Sequence, residues 1–307
     1  MKRILHLVDS KKYIENNCFQ SQLQFVLNEK CNLIPVELSE ILNSKNQYEA
    51  DGIISCLKQR TLYQNDQKIS KWLNGKSIVV YDQDPWQAFM DDSPFKGAYD
   101  KILQTINVSS FAITTEWWVD FLKEKNIPAM FVKMWVLPQY CDESISYIER
   151  TKVAGFVGTV HPRRQKLIDI VESAGIHVDV GKNSYAYPDF LKEISKLRCF
   201  IHNEDMSIFV DKIELNFNTG MWVKDIEAAA RGCFSIRSKA HGSENYLRNV
   251  ETVCLYDTVD QVPDMIRTIE KMDPQKRQES INRSVQFIRS ASEWDKTAEA
   301  LITESTK

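Results

Sequence analysis

The amino-acid sequence predicts an α/β protein built from two tandem Rossmann-like domains that face a central cleft. Short apolar runs alternate with longer amphipathic stretches, which is typical of parallel sheets covered by helices on both faces. The alternation is lost between residues 134 and 150, where Pro138 and an acidic stretch indicate a domain crossing. A length of 307 residues fits two domains of ordinary size.

The composition is typical of a soluble globular protein, with 43% apolar and 26% charged residues. No apolar run approaches the length of a transmembrane helix, and the run at Met1–Asp9 is too short for a signal peptide. The seven cysteines show no paired spacing, which favours reduced thiols and a cytoplasmic location. A net charge of −3 gives no support for general nucleic-acid binding.

The first domain is expected to span residues 1–140. Its predicted strands are short apolar runs, at Ile4–Val8, Leu33–Val36, Gly52–Cys56, Ser77–Tyr81, Phe111–Thr114 and Ala129–Lys133. Amphipathic periodicity predicts helices between several of these strands, at Phe19–Glu29, Ile69–Leu73 and Glu116–Glu124.

The second domain is expected to span residues 150–290 and to repeat the same alternation. Its predicted strands are Val153–Val157, His177–Val180, Cys199–His202, Cys233–Ile236 and Val253–Tyr256. Its predicted helices are Arg164–Ala174, Tyr187–Lys196, Trp222–Arg231, Ser243–Leu247, Val259–Lys271 and Pro274–Ala291. Residues 291–307 form a last amphipathic segment, and we expect it to pack back on the first domain.

The segment from Gly155 to Arg164 carries the strongest indication of function. An apolar strand ends near Gly158 and is followed by His161, Arg163 and Arg164, after which a helix begins. A strand, a glycine turn and a helix N-terminus leave backbone N–H groups directed at an anion. Arginines in such a turn supply bidentate donors for phosphate oxygens. The segment therefore predicts a diphosphate site, although an ordinary βα turn with solvated arginines has the same pattern.

A second motif follows the turn signal at Asn218–Gly220. Lys224 and Glu227 lie three residues apart on the predicted helix, so they share one helix face. A lysine in the first turn can reach a phosphate, and a glutamate one turn later can accept the hydroxyls of a sugar. A surface ion pair on an alanine-rich helix has the same spacing, so both interpretations stay open.

These two motifs together resemble the nucleotide-sugar half of a GT-B fold glycosyltransferase. The likeness is greatest to the group-1-like, spore-maturation-type branch, and it covers residues 155–270. Lys224 stands where that branch commonly has arginine, and Ile226 stands where it has an aromatic residue. The positive charge is retained, so a phosphate contact is still expected.

The resemblance implies a role for the positions around the donor diphosphate. Gly158 and Thr159 would lie against the diphosphate, with Arg163 or Arg164 near it. Lys224 would neutralise the charge that develops on the leaving diphosphate.

The resemblance also implies contacts with the rest of the donor. Glu227 would hydrogen-bond the ribose, and Tyr185 would stack on the base, although surface tyrosines at a plain helix start would show the same pattern. Retaining members of the wider superfamily often carry two glutamates with seven residues between them, but Thr219 stands at the partner position here. This departure leaves the stereochemical outcome open and makes Asn218 and Thr219 candidates for contacting the sugar or phosphate.

The first domain offers candidate catalytic carboxylates. Asp82 and Asp84 follow an apolar strand, at the end where ligands bind in such folds. An inverting transferase needs a base for the acceptor hydroxyl, and either carboxylate, or Asp9 after the first strand, could serve. The D-x-D spacing also binds metal in a different transferase fold, and an Asp-Pro turn with capping needs neither role. His161 is a further catalytic candidate, as a contact to the phosphate or the transferred sugar.

We therefore expect a metal-independent glycosyltransferase without a cofactor, in which the second domain binds a nucleotide diphosphate sugar as co-substrate. The acceptor is open: a glycan, a small molecule or a modified nucleic acid. A virus-type transferase for modified bases would need a basic groove in the first domain, for which the candidates are Lys11, Lys12, Lys58, Arg60 and Lys68. A non-catalytic sugar-nucleotide-binding protein and an epimerase of the same fold are also compatible with these motifs.

Overall fold

The computed structural model describes residues 1–12, 18–43, 48–181, 186–203, 205–218, 223–240, 242–291 and 293–307. The chain divides into two compact units. Unit 1 comprises Met1–Met134, Ser207–Leu215 and Ser292–Lys307, and unit 2 comprises Trp135–Met206 and Asn216–Ala291. Each unit contains a parallel sheet with helices, which confirms the predicted α/β class.

The strands are, in chain order, β1 (Arg3–Val8), β2 (Asn32–Glu37), β3 (Gly52–Ser55), β4 (Ile78–Asp82), β5 (Val108–Ile113), β6 (Ala129–Phe131), β7 (Lys152–Val157), β8 (Val178–Gly181), β9 (Leu197–His202), β10 (Asp205–Val210), β11 (Ile213–Asn218), β12 (Phe234–Ser238) and β13 (Val253–Tyr256).

The helices are, in chain order, α1 (Cys18–Lys30), α2 (Leu38–Asn43), α3 (Gln59–Leu73), α4 (Ala98–Thr105), α5 (Glu116–Glu124), α6 (Pro162–Ser173), α7 (Tyr187–Ser195), α8 (Val223–Ala230), α9 (Ser243–Tyr246), α10 (Val262–Lys271), α11 (Pro274–Ser290) and α12 (Glu293–Ser305). Among the described residues, no helix is both long and apolar enough to cross a membrane.

A parallel sheet of six strands forms the centre of unit 1, in the order β2-β1-β3-β4-β5-β6. Every residue of β3 and β4 is buried. Because successive side chains of a strand point to opposite faces, this burial means that both faces of the sheet are covered. Asp82 ends β4 in register with Ile113, the last residue of β5. It therefore lies at the carboxyl edge of the sheet, where such folds bind ligands.

The C-terminal helix α12 packs on the sheet of unit 1. The Thr297 hydroxyl donates to the backbone oxygen of Lys133 at 2.8 Å. At Gly52 in β3, any Cβ would lie 2.6 Å from the backbone oxygen of Ser305. Only glycine permits this close approach, so Gly52 allows the end of α12 to pack directly on the start of β3.

The hairpin formed by β10 and β11 was not predicted from the sequence. Its turn residues Asp211 and Lys212 both have positive φ, at 52° and 67°. The carboxylate of Asp91 accepts both turn amides, at 3.1 Å from Asp211 and 2.8 Å from Lys212. The amide of Asp91 donates in return to the backbone oxygen of Phe209 at 2.9 Å. These bonds fix the hairpin tip on unit 1.

Unit 2 is built on a parallel sheet of five strands, in the order β13-β12-β9-β7-β8. Its core is apolar and includes Phe156, Phe200 and Phe234. Arg150 is only 2% exposed. Its guanidinium donates to the backbone oxygens of Ile145, Ser195, Leu197 and Arg231. These four bonds satisfy a buried charge and attach the segment before β7 to the sheet.

Candidate active site

The turn after β7 brings a backbone glycine and a lysine together. Gly158 has a φ of 141°, a conformation that favours glycine. A Cβ at this position would lie 3.1 Å from the Nζ atom of Lys224 and 3.2 Å from the ring of Phe156. The glycine therefore leaves room for the ammonium group of Lys224, from α8, beside the turn.

Two cations lie against the ring of Phe156, a residue that the sequence did not single out. The Nζ atom of Lys224 is 5.7 Å from the ring centroid, and the guanidinium carbon of Arg164 is 4.6 Å from it. Both distances are within the range of cation–π attraction. Phe156 is buried, so it holds charges from two different helices at one turn. The result is a concentrated positive charge at the carboxyl end of β7.

Helix α6 begins at this turn and adds to the positive potential. His161 occupies the N-cap position, Pro162 is the first helical residue, and the first turn contains no acidic side chain. Arg164 donates through Nη1 to the backbone oxygen of Thr159 at 2.6 Å, which fixes the turn on the helix. The unscreened helix N-terminus favours an anion at this position.

A buried polar network holds α8 on the sheet. The carboxylate of Asp225 accepts from the Ser235 hydroxyl at 2.7 Å and from Arg237 Nη1 at 2.5 Å. The His202 ring nitrogen Nδ1 lies 3.3 Å from both of its oxygens. These four side chains are at most 1% exposed. The network ties the first turn of α8 to β9 and β12, and thereby fixes the position from which Lys224 extends.

Two opposing effects set the charge of Asp225. Burial raises the pKa of this carboxyl, but the Arg237 guanidinium and the His202 ring more than offset burial and bring the pKa below its ordinary value. Asp225 is therefore the ionised partner of a buried ion pair, the arrangement in which losing one partner costs most.

The other predicted donor residues occupy varied environments. Glu227 lies one turn after Lys224 and is 0% exposed, so a ribose reaches it only if the side chains that cover it move. Thr159 and His161 are exposed and Arg163 is half-buried. Asn218 is the last residue of β11. Tyr185 and Thr219 lie outside the described residues.

Unit 1 has its own polar cleft at the carboxyl edge of its sheet. The cavity measures about 100 Å³. It is lined by Gln20, by Gln59 and Arg60 at the start of α3, and by Asp82 and Asp84 after β4. This volume holds several water molecules, or one polar end of a larger ligand. The structure thus brings the two candidate carboxylates together in one cavity.

Asp82 is held in a fixed orientation within this cleft. The Tyr99 hydroxyl donates to Asp82 Oδ2 at 2.7 Å, and the backbone amide of Asp84 donates to Oδ1 at 3.0 Å. Burial raises the pKa of Asp82 to about 6, because these hydrogen bonds offset the loss of solvent only in part. The group is thus mostly ionised at pH 7 but a stronger base than an exposed aspartate. Tyr99 was not identified from the sequence.

The thiol in the same cleft is not a candidate nucleophile. Cys56 Sγ lies 3.2 Å from Nε2 of His6. Burial lowers the pKa of His6 to about 4 and raises the pKa of Cys56 far above its ordinary value. Both groups are therefore neutral at pH 7, and a neutral thiol is a poor nucleophile.

Part of the chain matches a known protein family. Residues 163–303, slightly less than half of the chain, match the family model described as glycosyl transferase-like. No curated protein matches the chain.

The solved structures that resemble this chain include Anabaena HepE in complex with UDP-glucose. It is 12% identical, with a TM-score of 0.65 and 99% of each chain covered. An E. coli trehalose-6-phosphate structure bound with UDP-2-fluoro glucose is 8% identical, with the same TM-score and coverage. The α,α-trehalose 6-phosphate synthase of Burkholderia multivorans is 10% identical, with a TM-score of 0.53 and 83% of this chain and 71% of that chain covered. At these identities the likeness shows the fold.

The likeness to these structures shows that the chain has the GT-B fold. The glycosyl transferase-like model matches residues 163–303, the part of the chain that the sequence resemblance also covers.

Proposed function

We propose that this protein transfers a sugar from a uridine diphosphate sugar to a hydroxyl acceptor without a metal ion. The observation that carries the proposal is the convergence of Lys224, Arg164 and Gly158 around the ring of Phe156. A diphosphate seated there meets two side-chain cations and a helix N-terminus. The HepE complex with UDP-glucose and the E. coli complex with UDP-2-fluoro glucose support uridine as the nucleoside.

The two cations stabilise the leaving group. As the bond between the anomeric carbon and the diphosphate breaks, its electron pair stays on the diphosphate oxygen. Lys224 and Arg164 neutralise that charge, and they are already in place before the reaction, so little reorganisation is needed. They take the role that a divalent ion fills in metal-dependent transferases.

Asp82 is the proposed base. The acceptor O–H bond breaks and its proton passes to the Asp82 carboxylate, while the acceptor oxygen bonds to the anomeric carbon. A pKa of about 6 suits this transfer, since the base is ionised at pH 7 and still attracts a proton. With Asp82 as base, the reaction is a single displacement that inverts the anomeric centre. Asp84 is the alternative base in the same cleft.

The remaining predicted positions complete the donor site in this proposal. Thr159 and Arg163 contact the diphosphate, and His161, at the exposed N-cap of α6, contacts a phosphate oxygen or the transferred sugar. Glu227 binds the ribose after the side chains that cover it move. Asn218, Thr219 and Tyr185 are proposed to contact the sugar, the phosphate and the base.

The proposal predicts that a nucleoside diphosphate stabilises the protein. In a thermal-shift panel of nucleoside diphosphates and their sugars, we expect UDP or a UDP-sugar to raise the melting temperature by several degrees. A ligand at about 100 times its Kd adds roughly 2.7 kcal/mol. The shift should be the same with and without EDTA. If no nucleoside diphosphate stabilises the protein, the proposed donor site is wrong; loss of the shift in EDTA would contradict only metal independence.

A further inference from the structure

The cleft of unit 1 contains a buried side-chain amide that has no hydrogen-bond partner in the part of the chain that the structure describes. Gln59 is 4% exposed and lines the cleft. Neither its side-chain nitrogen nor its oxygen has a hydrogen-bond partner among the described residues. A buried amide normally satisfies both groups, because leaving them unpaired costs stability. The Gln59 amide thus offers one donor and one acceptor to the cavity. A ligand hydroxyl can bond to both, because a hydroxyl donates and accepts hydrogen bonds.

Gln59 is also the first residue of α3, which is kinked at Asn65, where the backbone angles are not helical (φ −121°, ψ 16°). The segment before the kink is short, so the ligand contacts at this end of the cleft must come from side chains. Gln59 and its neighbour Arg60 are the two residues at the start of α3 that line the cleft.

An exposed guanidinium lies beside Gln59 at the rim of the cleft. Arg60 lines the cleft and makes no hydrogen bond or ion pair with any residue that the structure describes. A guanidinium binds phosphate and carboxylate groups in a bidentate manner. The α3 end of the cleft is therefore suited to an anionic group, and the amide of Gln59 to a hydroxyl.

We propose that the cleft binds an acceptor that is both hydroxylated and anionic, namely a sugar that carries a phosphate or carboxylate group. Gln59 hydrogen-bonds its hydroxyls, and the guanidinium of Arg60 binds its anionic group. The assignment of this ligand as the acceptor rests on the proposed function, in which Asp82 of the same cleft is the base. Cavity size agrees, since about 100 Å³ holds only the end of the ligand that carries these groups.

The first test separates a ligand-binding amide from a structural one. Gln59→Leu removes the unpaired amide at similar volume, so the melting temperature should rise by about 2–4 °C. The same variant should lose sugar binding. Gln64→Leu, on the exposed side of α3, is the matched control and should change neither property. A lower melting temperature in Gln59→Leu, with sugar binding unchanged, would overturn the proposal.

The second test measures affinity for defined probes by calorimetry: glucose, the 6-phosphates of glucose, mannose and fructose, glucuronate, inorganic phosphate and a single-stranded DNA oligonucleotide. We expect at least one anionic sugar to bind about tenfold or more tightly than glucose. Arg60→Gln should remove that advantage, and the matched Lys71→Gln variant, also exposed on α3, should retain it. Comparing the sugar 6-phosphates with glucuronate shows whether the cleft prefers a phosphate or a carboxylate group.

Each outcome of the second test decides something. Equal binding of neutral and anionic sugars, no binding of any sugar, or binding of the oligonucleotide alone would overturn the proposal. Titrating the same variants with UDP distinguishes this proposal from the proposed function. The proposed UDP site lies in unit 2, so changes at Gln59 and Arg60 in unit 1 should leave the affinity for UDP unchanged. An anionic sugar that binds to a protein without affinity for UDP would refute the proposed function and leave the ligand assignment of the cleft intact.

Discussion

Replacing Asp82 with asparagine is expected to abolish sugar transfer and, at the same time, to make the protein more stable at pH 7. Loss of a general base typically lowers the rate by a factor of about 100 to 10,000. The stability gain arises because the Asp82 pKa of about 6 lies above the ordinary 3.8. Ionising this buried carboxyl therefore costs up to about 3 kcal/mol above pH 6, which asparagine avoids.

The sign of this effect gives it a distinct pH dependence. A raised carboxyl pKa leaves the folded state with more bound protons between pH 3.8 and 6, so the stability associated with protonated Asp82 is lost as pH rises through this window. The stability gain of Asp82→Asn should thus be full at pH 7–8 and absent near pH 4. Asparagine preserves both hydrogen bonds, since its amide oxygen accepts from Asp84 and its amide nitrogen can donate to the Tyr99 hydroxyl.

Denaturant unfolding at pH 4 and pH 8 measures the stability change, and initial rates of transfer measure the activity. Asp92→Asn, an exposed carboxylate in the same unit, is the matched control and should alter neither. In the wild-type protein, kcat/KM should fall below a pH of about 6 as the base becomes protonated. An Asp82→Asn variant that transfers sugar at the wild-type rate would move the role of base to Asp84.

Replacing Asp225 with alanine is expected to destabilise unit 2 severely. The change leaves the guanidinium of Arg237, which is 0% exposed, without its ionic partner. It also removes the acceptor of the Ser235 hydroxyl and the neighbour of the His202 ring. Breaking a buried ion pair by removing one partner costs about 3–5 kcal/mol. The corresponding drop in melting temperature is roughly 10 °C.

The matched control is Asp169→Ala on α6, whose exposed carboxylate accepts from Gln165 at 2.7 Å and whose loss should be nearly neutral. The double variant Asp225→Leu with Arg237→Met removes both charges and should recover most of the stability. If Asp225 positions Lys224, this stable double variant should still bind UDP more weakly than the wild-type protein. Full UDP affinity in it would limit Asp225 to a structural role.

The sequence predicted the parts of this protein that depend on local pattern. Apolar runs located β1, β4, β7 and β9 to within a residue or two at each end, because buried parallel strands are continuous apolar segments. The same pattern placed Asp82 at a strand end, and the resemblance to known transferases paired the Gly158 turn with Lys224. These inferences need only neighbouring residues or a known motif.

The short helices α2 and α4 were not predicted either. The other unpredicted features depend on residues far apart in the chain. The tip of the β10–β11 hairpin contains no glycine and is held by Asp91, 120 residues before Asp211, so no local turn signal marks it. The partners of Asp225 lie 10 to 23 residues away and are brought to it by the order of the strands. The role proposed for Gln59 rests on its having no hydrogen-bond partner among the described residues, which no sequence pattern indicates.

A calorimetric titration of the wild-type protein with UDP and with uridine tests most directly whether the Gly158 turn and Lys224 bind the donor diphosphate. UDP should bind at least about tenfold more tightly than uridine, because only UDP has a diphosphate for the two cations. Lys224→Gln should lower the affinity for UDP by roughly tenfold to a hundredfold, which is the contribution of one charge-assisted hydrogen bond. The affinity for uridine should stay unchanged. Lys192→Gln, an exposed lysine on α7, is the control. Equal binding of UDP and uridine, or a Lys224→Gln variant with wild-type affinity for UDP, would contradict the account.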